Sequence, residues 1–300
     1  MEKSKKSSTV QQSICNCIVV GIDGSEGSHN AFELVINDFH RKGLDKLILV
    51  HISDAKKEHE KGLQYHSKTI YNKYEEELTS RLNADDYKVI FEERKENENV
   101  FEQINDIAVS CDATLLVLGF RGYKGKKGRP DELSKGVTYL VHKPKIPVLI
   151  LKEKTERLYR ESGKFKWLVC LESSESKSLK ALQTCARFID TENDIVHGVH
   201  INTSGKEIEL SDSPVKAAFD KVMVEFEIVN FDFTVIELDE KAGIHGSLKN
   251  WVAEHLENEN HYIDFMVMGY NPSKYNFDKD VANTTVDMIK FTPCNVFFDH

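Results

Sequence analysis

The chain repeats itself, and no other feature limits its fold so strongly. The segment IVVGIDGSE at residues 18–26 returns as WLVCLESSE at 167–175, which places Asp23 and Glu172 149 positions apart. LVHI at 49–52 returns as GVHI at 198–201 at that same offset. LLVLG at 115–119 returns as FMVMG at 265–269, now 150 apart, and PVLI at 147–150 as NVFF at 295–298, 148 apart. Landmarks held at one offset to within a residue mark a duplication. A chain of 300 residues therefore reads as two domains of about 140 residues each, well inside the usual range for one core.

Each copy alternates apolar runs with amphipathic stretches. In the first copy the runs cover 17–22, 46–52, 87–92, 114–119 and 147–152. Phe32, Val35, Ile36 and Phe39 recur at helical spacing, and residues 57–83 read as a second helix through Leu63, Ile70, Tyr74 and Leu78. Phe101, Ile104 and Ala108 mark a third helix, and Leu133, Val137, Leu140 and Val141 a fourth. The second copy follows with Leu179, Leu182, Ala186 and Ile189, then Phe219, Val222, Met223 and Phe226, then Leu248, Trp251, Val252 and Leu256. Strands apolar throughout and joined by helices predict a parallel sheet covered on both faces. The expected fold is α/β, with two tandem doubly wound domains, each a five-stranded parallel sheet. Residues 1–13 read as a flexible tail, 14–154 as the first domain, 155–164 as a charged linker and 165–300 as the second domain.

Composition excludes several classes. Forty lysines and arginines against 49 acidic residues give a net charge of −9, which argues against a general nucleic-acid binder. No apolar run approaches the roughly 18 residues needed to span a bilayer, so no membrane role is expected. The opening stretch MEKSKKSSTVQQS lacks the apolar core of a secretory signal, and the expected setting is cytoplasmic. The six cysteines lack the density of a disulfide framework and the spacing of a zinc site, so they read as small buried hydrophobes and no metal is expected.

Open parallel sheets bind ligands beyond the carboxyl ends of their strands. Asp23 and Gly24, then Val50 and His51, then residues 119–122 (GFRG) stand there. A carboxylate in that place accepts from an amine or hydroxyl, and glycines let backbone N–H groups approach a phosphate. His51 and His200 occupy matching places in both copies with no nucleophile beside either, so a structural role is expected and no catalytic residue is assigned.

In combination, VGIDGSE at 20–26, LVH at 49–51, VLGFRG at 117–122 and VHKPKIPVLI at 141–150 resemble the universal stress protein family in both copies. The resemblance implies dimer contacts through the last strand, here an intramolecular pseudo-dimer with the two last strands at its centre. For nucleotide-binding members it implies ATP or AMP, with adenine on Asp23 and the Val50 backbone. Phosphates there would lie on a G-x2-G-x9-G-S/T loop, whose first glycines match Gly119 and Gly122. Its closing pair falls on Ser134 and Lys135, two residues late and without the hydroxyl, yet Arg121, Lys124, Lys126, Lys127, Arg129 and Lys135 make the loop strongly basic. That loop reads as a solvated surface, a phosphate site or a contact for an acidic protein partner. In the second copy Pro272, Ala282 and Asn283 replace the loop positions and Glu172 replaces the aspartate, so that site is expected to be empty. Two functions stay open: a regulatory protein with at most one adenine-nucleotide site, or a non-catalytic scaffold that kept the fold. Homodimerisation of whole chains is compatible with both.

Overall fold

The computed structural model describes residues 15–54, 62–121, 135–152, 154–160, 163–173, 177–205, 209–256, 263–269, 288–290, 292 and 294–299. The first copy runs β1 (Cys17–Gly21), α1 (Glu26–Leu34), β2 (Lys46–Ser53), α2 (Ser67–Arg81), β3 (Tyr87–Glu93), α3 (Val100–Ser110), β4 (Leu115–Gly119), α4 (Lys135–His142) and β5 (Val148–Leu151). The second runs β6 (Lys166–Leu171), α5 (Lys177–Cys185), β7 (Ile195–Asn202), α6 (Pro214–Glu225), β8 (Phe231–Glu237), α7 (Gly243–Leu256), β9 (Phe265–Gly269) and β10 (Asn295–Asp299).

Local chemistry sets the helix ends. Ser25 caps α1 by accepting from the Ser28 N–H, and the helix widens into a π turn over Val35–Phe39. The apolar positions Phe32, Val35, Ile36 and Phe39 are all buried, as their spacing implies. The second helix is shorter than the expected 57–83. It starts at Ser67, because Gly62 and His66 are both in extended backbone and isolate a single 3-10 turn at Leu63–Tyr65. Leu63 is consequently 76% exposed, whereas Ile70, Tyr74 and Leu78 form the buried stripe.

All ten strands lie in one sheet, in the order β3-β2-β1-β4-β5-β10-β9-β6-β7-β8. Each copy contributes five parallel strands, and β5 and β10 meet antiparallel at the centre, with Val148, Leu149 and Ile150 opposite Phe298, Phe297 and Val296. This is the internal pseudo-dimer, joined through the two last strands, that the family resemblance implies. The halves also share their cores. Phe39 of the first copy packs on Trp167, Phe188 and Phe265 of the second at 6.2, 5.2 and 5.8 Å between ring centroids. On the opposite face Val148 and Ile150 join Met288 and Phe298 in one buried cluster. Because the central pair is antiparallel, the carboxyl ends of the two sets of strands point to opposite edges. The two candidate clefts therefore face away from each other.

Candidate functional site

The backbone around the end of β1 follows one plan in both copies. The Asp23 N–H donates to the Ser28 hydroxyl at 3.2 Å, and the Glu172 N–H donates to Ser178 at 3.1 Å. His51 donates from Nδ1 to the Ile22 carbonyl at 2.8 Å, and His200 to the Leu171 carbonyl at 2.9 Å. Both histidines thus tie the second strand of a copy to the end of its first, a structural job. Asp23 Oδ1 also accepts from the Ser25 N–H at 3.0 Å and from the Ser25 hydroxyl, which fixes the carboxylate above the start of α1.

Val50 is fully buried, and its carbonyl accepts the Ile22 N–H at 2.9 Å. Hydrogen-bond direction alternates along a strand: Leu47 and Ser53 bond towards β3, and Lys46 and Val50 towards β1. Ile52 is the next residue facing the β1 side, where β1 has already ended at Gly21. The backbone edge beside Asp23 accordingly belongs to Ile52, which sequence reasoning missed by two positions. Strand parity was the available signal.

Gly119 ends β4 against the first turn of α1. A Cβ built there would stand 2.5 Å from the Gly27 carbonyl carbon and 2.9 Å from the Ser28 nitrogen. Gly269 has the same relation to α5, with the Ser178 nitrogen at 2.3 Å. Close backbone packing accounts for both glycines. Arg121 is exposed, and its guanidinium lies 5.9 Å from the Phe120 ring centroid. Lys152, just past β5, places its ammonium 5.2 Å from that ring and donates to the Thr292 carbonyl, while its own N–H donates to Asn295 Oδ1 at 2.8 Å. Sequence reasoning missed Lys152, although its place after the last strand was a usable signal. Gly122 and Ser134 lie outside the described residues, as does the side chain of Lys135, which opens α4.

The ends of β1, β2, β4 and β5 thus carry, in that order, one carboxylate, one strand edge and two cations. Acid and cations occupy different strands. Cys170, Cys185 and Cys294 are buried as expected, and burial pushes the Cys294 thiol up to about 11; Cys15 is exposed.

The topology defines a doubly wound α/β protein with one open, mostly parallel sheet, duplicated within one chain. Residues 16–152 match the model of the Universal stress protein family, so the chain carries a universal stress protein domain in its N-terminal half, and its C-terminal half repeats that fold. Among solved structures, a universal stress protein from Archaeoglobus fulgidus DSM 4304 is similar at 17% identity and TM-score 0.60, over 96% of this chain and 98% of that one. A functionally unknown protein from Pseudomonas aeruginosa PAO1 matches at 14% identity and TM-score 0.61, over 97% and 94%. The cytoplasmic domain of a prokaryotic cation chloride cotransporter matches at 10% identity and TM-score 0.50, over 95% and 94%. These likenesses concern the fold. No curated protein matches the chain. Among the described residues no helix is long and apolar enough to cross a membrane.

Proposed function

We propose that the first copy binds one adenine nucleotide, ATP or AMP, and that the protein acts in the cytoplasm as a regulator without turning its ligand over. The polarity of the cleft carries this reading: Asp23 stands at one end, and Arg121 and Lys152 beside Phe120 stand at the other. An adenine amine suits the carboxylate, the Ile52 backbone suits the ring edge, and phosphates suit the cations, with Gly122, Ser134 and Lys135 completing the loop. Calorimetric titration of the full chain with ATP tests it. One site is expected, weakened by about 1.5–3 kcal/mol in Asp23→Ala, the contribution of a hydrogen bond to a charged group. Glu172→Ala is expected to bind as the parent does. Two equivalent sites, or none at millimolar nucleotide, would overturn the reading.

The glycines favour a second reading. Gly119 is explained by its contact with Gly27, as Gly269 is by its contact with α5 in a copy without the phosphate loop. A scaffold that binds protein partners would keep both. Release of adenine nucleotide on acid precipitation of natively purified protein separates the two readings.

A further inference from the structure

We propose that the first copy carries a divalent transition-metal site between α1 and α2, formed by His29, Glu33 and Glu77. One ligand atom from each lies within 4.8 Å of the other two. His29 and Glu33 are four residues apart on α1, the spacing that stacks two side chains on one helix face. Glu77 comes from α2, and the helices are held together beside the cluster by Phe32 and Tyr74, edge to face at 5.0 Å. The His29 ring lies 6.1 Å from Phe32 and 6.0 Å from Tyr74, so packing fixes its direction.

This place already attracts a cation. Lys73 Nζ lies 3.3 Å from His29 Nδ1 and 3.8 Å from Glu77 Oε1. An ammonium has no lone pair to offer, so Nδ1 accepts and its own lone pair faces the cluster. The Lys73 side chain is 47% exposed and can swing into water, leaving two carboxylates to balance a divalent ion. Arg81 competes for Glu33 at 3.0 Å but is held also by Asn37. Tetrahedral zinc with bonds of about 2.0–2.2 Å needs its ligands closer than they stand, a movement glutamate rotamers can supply. Imidazole with two carboxylates suits zinc or cobalt, whereas calcium and magnesium take oxygen ligands. The second copy has Leu179 and Gln183 at the matching places on α5, so the site is confined to the first.

The test is titration of the full chain with zinc by calorimetry and with cobalt by visible absorption. Wild type is expected to take up one equivalent that both His29→Ala and Glu77→Gln lose, or bind at least about tenfold more weakly. Lys73→Ala is expected to bind more tightly, because its ammonium no longer occupies the place. Thermal melting identifies a variant that has unfolded, and Glu77→Gln, away from the ring packing, then decides alone. No uptake by wild type at millimolar cobalt, unchanged binding in a folded Glu77→Gln protein, or weaker binding in Lys73→Ala would overturn the proposal.

Discussion

Asp45 and Asp194 stand 149 positions apart, just before the second strand of each copy, and both are buried. Asp45 accepts the Asn16 N–H at 2.8 Å and the Arg41 N–H at 3.0 Å; Asp194 accepts the Phe165 N–H at 2.9 Å and the Asp190 N–H at 3.0 Å. The backbone partners correspond residue for residue, but the cation does not. Arg41 supplies its own guanidinium to Asp45, whereas its counterpart is Asp190, and Asp194 takes its guanidinium from Arg157 in the connecting segment. Arg160 serves Asp264, which is 2% exposed, in the same way. Arg157 also reaches back to Asp38 of the first copy, its N–H donating at 3.4 Å. Duplication therefore kept the buried carboxylates and moved the source of their charge. The segment between the copies became part of the second copy's frame.

The largest expected effect breaks that asymmetry. Removing one partner of a buried ion pair leaves a charge that neither water nor a counterion stabilises. Arg157→Ala is expected to lower the unfolding free energy by about 3–5 kcal/mol in urea denaturation. Arg41→Ala should cost less, because its guanidinium side chain is 33% exposed against 18% for Arg157. Equal losses would show that the source of the charge does not matter.

A second, smaller effect separates two carboxylates of the first copy by pH. Burial raises the Asp38 carboxyl to about 6, with the Arg157 hydrogen bond and charge opposing it less strongly. Burial also acts on Asp45, but hydrogen bonds from Arg41 and Asn16 outweigh it and hold that carboxyl below its usual range. The folded chain thus binds the Asp38 proton more tightly than the unfolded chain does. Stability contributed by Asp38 is present below about pH 4 and falls as pH rises towards 6, by roughly 3 kcal/mol at most. Asp45 has the opposite sign, its contribution being lost as pH falls through its lowered pKa. Denaturation of Asp38→Asn between pH 4 and 7 should show that downward component removed. An unchanged profile would place Asp38 in water.

Much of this fold was legible because strand periodicity and the repeat are local or periodic signals. The central junction followed from the family resemblance, with which the two apolar last strands agree. The start of α2 did not, since the extended backbone at Gly62 and His66 leaves no mark in the apolar pattern. Nor did the arginine clamps, because Arg157 and Asp194 lie 37 residues apart and each looks like an ordinary surface charge in sequence. At the cleft, Asp23 and Arg121 were placed by their strands, whereas Val50 and Ile52 could be told apart only by hydrogen-bond parity. The reason for Gly119 was illegible for a related cause. Its neighbour Gly27 belongs to α1, far away in sequence, and only the folded chain brings their backbones together.

That contact yields the smallest and most direct comparison between the copies. If Gly119 is there for a phosphate, then Gly119→Ala should mainly weaken ligand binding, and Gly269→Ala, in the copy whose sequence has Pro272, Ala282 and Asn283 at the loop positions, should change little. If both are there because β4 and β9 lie directly against a helix start, the two variants should suffer alike. Packing predicts the second outcome: a methyl at Gly119 meets backbone at 2.5 Å and one at Gly269 meets backbone at 2.3 Å, and neither neighbour is a side chain that could turn aside. Overpacking of this kind costs about 1–3 kcal/mol. Both alanine variants are therefore expected to unfold at lower denaturant by similar amounts with no change in slope, since native and unfolded surfaces hardly differ. A stable Gly269→Ala beside a destabilised Gly119→Ala would mean that helix and strand can part in the second copy alone. The two halves would then be alike in topology and different in rigidity.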